Sequence, residues 1–235
     1  MRQYLQNKKG LIQNVFDKVY DKYDLMNDLM SLGIHRLWKK NLISWMAPSL
    51  KKKLIDMACG TGDLGKLFLE NTNFTGKVLC IDPNSRMLKK GIERLSKYKN
   101  LTWKKGYAEK ILAPDNSFDY YTISFGLRNT KNINKSLKEA YRVLKPGGRF
   151  LCLEFTPDIA PPLRGLYEAY SLRMIPKIGD WLTGDAGAYH YLVESIRRFP
   201  HATHVAKLLG KAGFAGVRVK ALSAGVVSLH SAWRV

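Results

Sequence analysis

The chain has 235 residues, of which 46% are hydrophobic and 25% are charged. This length favours one α/β domain with additions over two independent domains. Lys and Arg number 39 against 19 Asp and Glu, so the formal net charge is +20 at pH 7. Such an excess attracts polyanions, either nucleic acid or the anionic face of a membrane, although a general bias toward lysine produces the same number.

Neither a membrane span nor an exported protein is expected. No run approaches the ~18 consecutive apolar residues of a spanning helix, and the N-terminal MRQYLQNKKG lacks the apolar centre of a secretory signal. The three cysteines, Cys59, Cys80 and Cys152, are an odd number without metal-ligand spacing. We therefore expect reduced thiols, no metal site and a cytoplasmic protein.

In chain order, the first predicted elements are helical. Aromatic and apolar residues recur at three- and four-residue intervals between positions 10 and 45, and a further helix is predicted at 35–46, before Pro48. Strands then alternate with helices. The predicted strands are 53–58, 77–81, 101–104, 120–124 and 149–155, and the predicted helices between them are 63–70, 85–97 and 134–144. This alternation predicts βαβ units and a parallel sheet covered on both faces.

The last third of the chain departs from this alternation. An amphipathic stretch interrupted by prolines covers 157–182, and helices are predicted at 189–198 and 201–212. Two strands, 216–221 and 226–234, end the chain. They favour an antiparallel hairpin added to the edge of the sheet, which then has seven strands.

The glycine-rich segment DMACGTG at 56–62 follows the first predicted strand. Ligands of parallel sheets bind beyond such strand ends, and Gly60 and Gly62 allow the backbone to pass close to a ligand. With Gly65 the spacing also matches the dinucleotide fingerprint. However, Asp63 places a carboxylate where a pyrophosphate binds, so like charges repel there. A sulfonium-bearing amino acid tolerates acidic neighbours, and Asp56 is placed to meet its cationic end.

Other strand ends supply further candidates. Asp82 ends the second strand, 20 residues beyond Gly62, where an acid accepts hydrogen bonds from ribose hydroxyls; the alternative is a helix cap before Pro83. The tract GYAE at 106–109 follows the third strand, where a loop covers an adenine. The tract ISFG at 123–126 follows the fourth strand and faces the rest of the ligand.

Several tracts together resemble known methyltransferases. Five occur in the order of the class I methyltransferase motifs: LIDMACGTGDLG, CIDPNSRML, GYAE, SFDYYTISFGLRN and YRVLKPGGRFLCLEF. From about position 16 to 235 the chain is similar to the ubiquinone/menaquinone biosynthesis C-methyltransferase family. The family-specific likeness lies in YDLMNDLMSLGIHRLWK (23–39), SFGLRN (124–129), YHYLVESIRRFP (189–200) and SAGVVSLHSAWRV (223–235).

This resemblance implies a Rossmann-like class I methyltransferase fold and S-adenosylmethionine as cofactor, released as S-adenosylhomocysteine. It implies one domain at 1–235, with a helical cap (1–50), a cofactor core (51–156), an acceptor-side insertion (157–200) and a C-terminal helix and hairpin (201–235). With the loop residues above, the implied cofactor contacts are Asp56, Gly60, Thr61, Gly62, Asp82, Tyr107, Ala108 and Ser124. Tyr107 stands where the family usually carries Asn or Asp, so that side-chain bond is lost or replaced by ring packing.

The implied acceptor is a polyprenyl quinol, with conversion of demethylmenaquinol to menaquinol as the expected reaction. Carbon methylation needs a base or a stabilised phenolate. Arg128, which does not readily lose its proton, is expected to stabilise the phenolate, and Asn129 to orient a hydroxyl. Tyr23 is the family-matching hydrogen-bonding candidate. Histidines 35 and 190 are candidate bases, although a lone histidine is more often structural.

Other functions remain open at this level. The charge of +20 suits an RNA methyltransferase, but the tract after the fourth strand is GLRN, whereas amino-methylating nucleic-acid enzymes commonly carry an Asn/Asp-Pro-Pro-aromatic tract there. Methylation of another small molecule is a further alternative. We expect the charge to serve peripheral binding to the anionic membrane in which a polyprenyl quinol resides, rather than nucleic acid. The sequence leaves a homodimer open.

Overall fold

A seven-stranded sheet forms the centre of the computed structural model, which describes residues 33–162 and 186–235 together with Asp28, Ser31 and Gly165. The strands are β1 (Lys53–Met57), β2 (Lys77–Asp82), β3 (Leu101–Lys105), β4 (Phe118–Ser124), β5 (Leu144–Phe155), β6 (Phe214–Leu222) and β7 (Val227–Arg234). The helices are α1 (His35–Met46), α2 (Asp63–Asn71), α3 (Ser85–Arg94), α4 (Ile133–Val143), α5 (Ala186–Arg197) and α6 (Ala202–Lys211).

The strand order β3-β2-β1-β4-β5-β7-β6 confirms the predicted topology. Strands β1 to β5 pair in parallel, and β7 pairs antiparallel with both β5 and β6. The order reverses between β1 and β4, so the chain leaves these neighbouring strands in opposite directions. A crevice beyond their carboxyl ends is the expected place for a ligand in such a sheet.

The sheet is buried on both faces, as its apolar strands predict. Alternate strand residues enter two cores, because successive side chains point to opposite faces. One core lies under α1 and α2 and the other under α4. The first includes Leu42, Leu54, Phe68, Val78 and Leu151, and the second includes Ile55, Tyr121, Ile123, Leu137 and Phe150.

Most predicted boundaries agree with the structure within three residues, but the start of β5 differs. The helix predicted at 134–144 does end before the Lys-Pro-Gly-Gly tract at 145–148, but this tract lies inside β5, which begins at Leu144 and not at 149. The register against β4 advances by two residues on β4, from Phe118 to Tyr120, and by five on β5, from Leu144 to Arg149. Gly147, with φ of +75°, accommodates this bulge, because glycine adopts a left-handed backbone without steric cost.

None of the helices in the described part of the chain is both long and apolar enough to cross a bilayer.

Two helical glycines provide a matched stability test. A Cβ on Gly91 in α3 would lie 2.6 Å from Trp103 Cη2 and 3.1 Å from the Thr61 carbonyl oxygen. Gly91→Ala removes a helix penalty of about 1 kcal/mol, but overpacking costs about 1–3 kcal/mol, so we expect net destabilisation. Gly210→Ala in α6 meets no atom within 4 Å and should stabilise the protein.

The free energy of unfolding, measured in urea, should therefore fall for Gly91→Ala and rise by up to ~1 kcal/mol for Gly210→Ala. Equal stabilisation by both substitutions would mean that the Trp103 ring moves freely away from Gly91.

Candidate active site

The turns that follow β1 and β4 meet at the point where the strand order reverses. Ala58 and Phe125, each just beyond its strand, have left-handed φ values of 52° and 55°. Gly126 then passes so close to Ala58 that a Cβ on Gly126 would lie 2.4 Å from the Ala58 Cβ. Both turns therefore bend sharply away from the sheet, and Asp56 and Ser124 at the strand ends line a shared pocket.

Asp56 and Ser124 each present a buried oxygen that lacks a partner among the described residues. Asp56 Oδ1 accepts a hydrogen bond of 2.7 Å from the Thr122 hydroxyl, whereas Oδ2 has no partner. The side chain is 1% exposed, and burial raises the pKa of Asp56 to about 7 against the opposing effect of the Thr122 hydrogen bond. Unsatisfied buried oxygens are costly, so these two atoms indicate the place of a polar or cationic ligand.

The glycine loop is held by Asp82 from the neighbouring strand. Asp82 Oδ2 accepts a hydrogen bond of 2.9 Å from Gly60 N–H, and Oδ1 accepts one of 2.8 Å from Asn84 N–H. Burial raises the pKa of Asp82 to about 6, although both backbone hydrogen bonds favour the carboxylate. The residue that caps α3 is Asn84, whereas Asp82 holds the glycine loop. Its contact with a ribose stays a prediction.

The missing side chain of Gly62 makes room for a neighbouring indole, and a contact of its backbone with the cofactor stays a prediction. A Cβ there would lie 2.4 Å from Trp103 Cη2 and 3.0 Å from Leu95 Cδ1, so the missing side chain accommodates the Trp103 indole. Gly62 also has a left-handed φ of 88° at the start of α2. Gly65 allows α2 to approach Val78 and Cys80 of β2. These two glycines are thus explained by packing.

Asp63 is paired with two cations, which corrects the repulsion argument made from the sequence. Its Oδ2 lies 2.7 Å from Lys39 Nζ of α1, and its Oδ1 lies 2.5 Å from Arg94 Nη2 of α3. Burial raises the pKa of Asp63, but the charges of Lys39 and Arg94 outweigh it and hold the pKa well below its usual range. The neutralised carboxylate is a weak obstacle to a phosphate, so Asp63 does not decide the cofactor.

Lys39 and Arg94 were not identified from the sequence, because their partner is distant in the chain. Arg94 also donates a hydrogen bond of 2.8 Å to the Thr61 carbonyl oxygen, and so fixes the loop in two places. The one feature of the sequence that could have drawn attention to Lys39 is its place in the family-like segment 23–39. The pocket is lined by Lys39, Asp56, Ala58, Cys59, Thr61, Asp63, Leu64, Ser124 and Phe125.

This lining fits the amino-acid end of S-adenosylmethionine. The α-ammonium group and the sulfonium are cationic, and Asp56 Oδ2 is a buried acceptor without another partner in the described part of the chain. Lys39 contributes a positive charge to the same pocket, as the carboxylate of an α-amino acid requires. The residues present therefore fit the cofactor.

The residues expected near the adenine lie beside this pocket rather than in it. Gly106 N–H donates a hydrogen bond of 3.2 Å to the Asp82 carbonyl oxygen, which places the GYAE tract next to Asp82. Ala108 is buried, whereas Tyr107 is 40% exposed with Lys131 Nζ 5.9 Å from its ring centroid. An exposed ring is compatible with packing against a base, and both contacts stay predictions.

The Arg128 side chain is buried and forms an ion pair that the sequence did not predict. Its Nη1 lies 2.5 Å from Glu154 Oε1 and donates a hydrogen bond of 2.8 Å to the Phe125 carbonyl oxygen. The two charged side chains are 6% and 0% exposed, so Glu154 compensates the charge of Arg128. Arg128 is therefore not an exposed loop side chain. Asn129 Oδ1 accepts a hydrogen bond of 3.1 Å from the Tyr191 hydroxyl.

Of the remaining three candidates, the structure describes the side chain of one. Tyr23 lies outside the described residues, and nothing is described of the His190 side chain. His35 is buried, and its Nε2 lies 2.9 Å from Asp28 Oδ1. Burial and the charge of Lys39 lower the pKa of His35, despite the hydrogen bond to Asp28. His35 does not line the pocket of Asp56, so the structure supports a structural role for it.

Comparison with known proteins identifies the family. The model of the ubiE/COQ5 methyltransferase family matches residues 2–234. The chain is 47% identical over 233 residues to the ubiquinone/menaquinone biosynthesis C-methyltransferase UbiE of Brucella abortus, covering 97% of this chain and 87% of that protein. The protein of the same name from Brucella anthropi is 48% identical, with 97% and 89% covered.

Solved structures agree on the fold. A structure from Thermotoga maritima described as an S-adenosylmethionine-dependent methyltransferase, possibly a histamine N-methyltransferase, has a TM-score of 0.67 at 18% identity. The superposition covers 95% of this chain and 99% of that one. At this identity the likeness establishes the class I methyltransferase fold, while the family match decides against a nicotinamide enzyme. The chain belongs to the ubiE/COQ5 methyltransferase family and is an S-adenosylmethionine-dependent C-methyltransferase.

Proposed function

We propose that this enzyme methylates a ring carbon of a polyprenyl quinol in ubiquinone/menaquinone biosynthesis, and that its acceptor is demethylmenaquinol, which becomes menaquinol. Relatives that are nearly half identical over almost the whole chain carry the corresponding name. The observation that carries the proposal is the pocket at Asp56 and Ser124, because its unpartnered oxygens share the pocket with an aromatic wall.

That aromatic wall is the Phe125 ring, with the buried rings of Trp38 and Phe155 packed behind it. Phe125 lines the pocket, and its ring centroid lies 6.2 Å from that of Trp38 and 4.8 Å from that of Phe155. Trp38 is anchored by a hydrogen bond of 2.9 Å from its Nε1 to the Ser223 hydroxyl. An aromatic wall beside a polar pocket suits a flat hydrophobic ring that must be aligned with a bound methyl donor.

S-adenosylmethionine supplies an electrophilic methyl group on its sulfonium. In our proposal Asp56 accepts a hydrogen bond from the cationic end of the cofactor, and Ser124 and the Gly60–Gly62 loop with Thr61 enclose the methionine part. Asp82 accepts from the ribose, and the backbone at Tyr107 and Ala108 contacts the adenine. The second lone pairs of the Asp82 oxygens support this, since each oxygen accepts one backbone hydrogen bond.

On the acceptor side we propose roles for Arg128, Asn129 and Tyr23. Arg128 Nε is buried without a hydrogen-bond partner in the described part of the chain, so the guanidinium retains one donor beyond the Glu154 pair. Asn129 Oδ1 accepts a hydrogen bond from Tyr191, and one amide N–H donates a hydrogen bond of 3.5 Å to the Phe125 carbonyl oxygen, so the second amide N–H is the group proposed to orient a quinol hydroxyl. Tyr23 is proposed as a further hydrogen-bonding group, on the family likeness of segment 23–39 alone.

A polyprenyl quinol resides in the bilayer. We therefore propose that the enzyme associates reversibly with an anionic membrane surface from the cytoplasmic side. The net charge of +20 supports this, because each basic residue near such a surface contributes about 1 kcal/mol.

The acceptor is tested with demethylmenaquinol and with the corresponding benzoquinol precursor, each dispersed in detergent with S-adenosylmethionine. We expect mass spectrometry to show a methyl group on a ring carbon of the naphthoquinol. Methylation of the benzoquinol alone would change the assigned acceptor. Absence of carbon methylation on both rings, with S-adenosylhomocysteine still bound, would contradict the quinol proposal and leave the family unaffected.

The raised pKa of Asp56 predicts linked effects of pH on stability and on cofactor binding. The folded value of about 7 exceeds the unfolded value of 3.8, so the folded enzyme without ligand binds the additional proton. Its stability should therefore fall as the pH rises from about 4 to about 7. A cationic ligand favours the carboxylate, so the rise in Tm caused by S-adenosylhomocysteine should grow over the same range.

Asp56→Asn is the matched variant for this test. It should lower the affinity for S-adenosylhomocysteine by about 10- to 100-fold, as expected for a lost hydrogen bond to a charged group. In this variant the stability should no longer fall as the pH approaches 7. Only the fall that Asp82 causes, with its pKa of about 6, should remain. An unchanged affinity would remove Asp56 from the cofactor site.

A pair of variants separates a direct role of Arg128 from its role as partner of Glu154. Arg128→Met leaves a buried carboxylate uncompensated, at a cost of about 3–5 kcal/mol. The double variant Arg128→Met with Glu154→Gln removes both charges and should recover most of the stability. If the guanidinium acts on the acceptor, turnover stays low in the double variant while cofactor affinity is normal. Recovered turnover would show that Arg128 only holds the turn.

A further inference from the structure

A second cleft lies at the C-terminal end of α1 and is not part of the pocket at Asp56. It is lined by Trp45, Arg149, Gly216, Arg218, Ser231 and Trp233, and its volume is about 560 Å³. We call it the Arg149 cleft. Six residues of α1, about 9 Å along the helix axis, separate Trp45 from Lys39 of the cofactor pocket.

Arg149 is held rigidly at the base of this cleft. Its Nη1 donates hydrogen bonds of 2.7 Å and 3.2 Å to the carbonyl oxygens of Trp45 and Met46, and its Nε donates one of 2.8 Å to the Ser231 hydroxyl. The guanidinium carbon lies 5.6 Å from the Trp45 ring centroid and 4.9 Å from that of Trp233. Nη2 has no protein hydrogen-bond partner in the described ranges. The guanidinium is thus already oriented, with one donor edge to spare.

The cleft concentrates positive charge that no carboxylate of the described residues compensates by an ion pair. Within the described ranges no carboxylate forms an ion pair with Arg149, Arg218 or Lys220. Lys220 Nζ lies 4.7 Å from the Trp45 ring centroid, so it borders the same surface. In contrast, Arg94 and Arg128 each meet a carboxylate.

The cations of the cleft also act on one another. Burial lowers the pKa of Arg149, and the charge of Arg218 lowers it further, with Tyr120 acting in the opposite direction. Two guanidinium groups close enough to repel, one of them fixed, form a site that a bound anion stabilises.

We propose that the Arg149 cleft binds a phosphate group. The planar donor edge of a guanidinium matches the oxygens of a phosphate, and Arg218 and Lys220 add charge from β6, which lies beyond β7. Trp233 is 40% exposed at the rim, where its indole packs against the organic body that carries the phosphate. The phosphate belongs either to the headgroup of an anionic phospholipid or to a free phosphate ester. The proposal does not depend on the identity of the methyl acceptor.

The test uses the full chain and two charge reversals. Arg218→Glu alters the exposed rim of the cleft, and Lys138→Glu makes the same change in charge at an exposed position of α4, on the other face of the sheet. The probes are inorganic phosphate, glycerol 3-phosphate, and vesicles of phosphatidylcholine alone or mixed equally with phosphatidylglycerol. Soluble probes are followed by tryptophan fluorescence and vesicles by sedimentation. Wild-type affinity for S-adenosylhomocysteine shows that each variant is folded.

We expect Arg218→Glu to weaken binding about 20-fold or more, since it changes two charge units at about fivefold each, and Lys138→Glu to have a much smaller effect. Saturable binding of a soluble phosphate that Arg218→Glu abolishes identifies a free ester as the ligand. Binding to phosphatidylglycerol vesicles alone, with the same dependence on Arg218, identifies a headgroup. Equal losses in both variants, or no binding of any probe, would overturn the proposal.

Discussion

The turns after β1 and β4 touch each other, and the rest of the site depends on this contact. Gly126 passes over Ala58 with no room for a side chain, and both Ala58 and Phe125 take left-handed backbone conformations to allow it. The contact keeps the ends of two central strands open, so that Asp56 and Ser124 face one pocket. It also starts the turn that carries Arg128 and Asn129. The residues proposed to contact the methyl donor and the acceptor are therefore positioned by one contact between two turns.

Charge compensation gives this part of the enzyme its rigidity. Asp63 is shared by Lys39 and Arg94, which join the glycine loop to α1 and α3. Arg128 is paired with Glu154 under the turn after β4. Asp56 is the exception, since one of its oxygens has no partner among the described residues and its pKa is raised to about 7. In the proposed complex the cationic end of the cofactor supplies the charge that Asp56 lacks, as Lys39 and Arg94 do for Asp63.

Helix α1 connects two surfaces of opposite character. Near its start Lys39 lines the pocket of Asp56, which is the proposed cofactor site, and near its end Trp45 lines the Arg149 cleft, whose cations form no ion pair with any described carboxylate. The anion proposed for the cleft would therefore lie beside the helix whose Lys39 pairs with Asp63. Part of the positive charge of the chain is thus concentrated in one cleft, in addition to the general attraction of the net charge for anions.

The sequence by itself determined the element order, the parallel core with its antiparallel hairpin, the family and the methyl donor. These rest on local features, since apolar alternation, helix stop signals and motif order are read along the chain. Only the tertiary structure decided which charges are paired and why Gly62 is a glycine. Lys39 and Asp63 are 24 residues apart, Arg128 and Glu154 are 26 apart, and Arg149 and Trp45 are 104 apart. No local pattern encodes such partners, because they depend on how strands and helices pack, and the pKa and chemistry of each group depend on them.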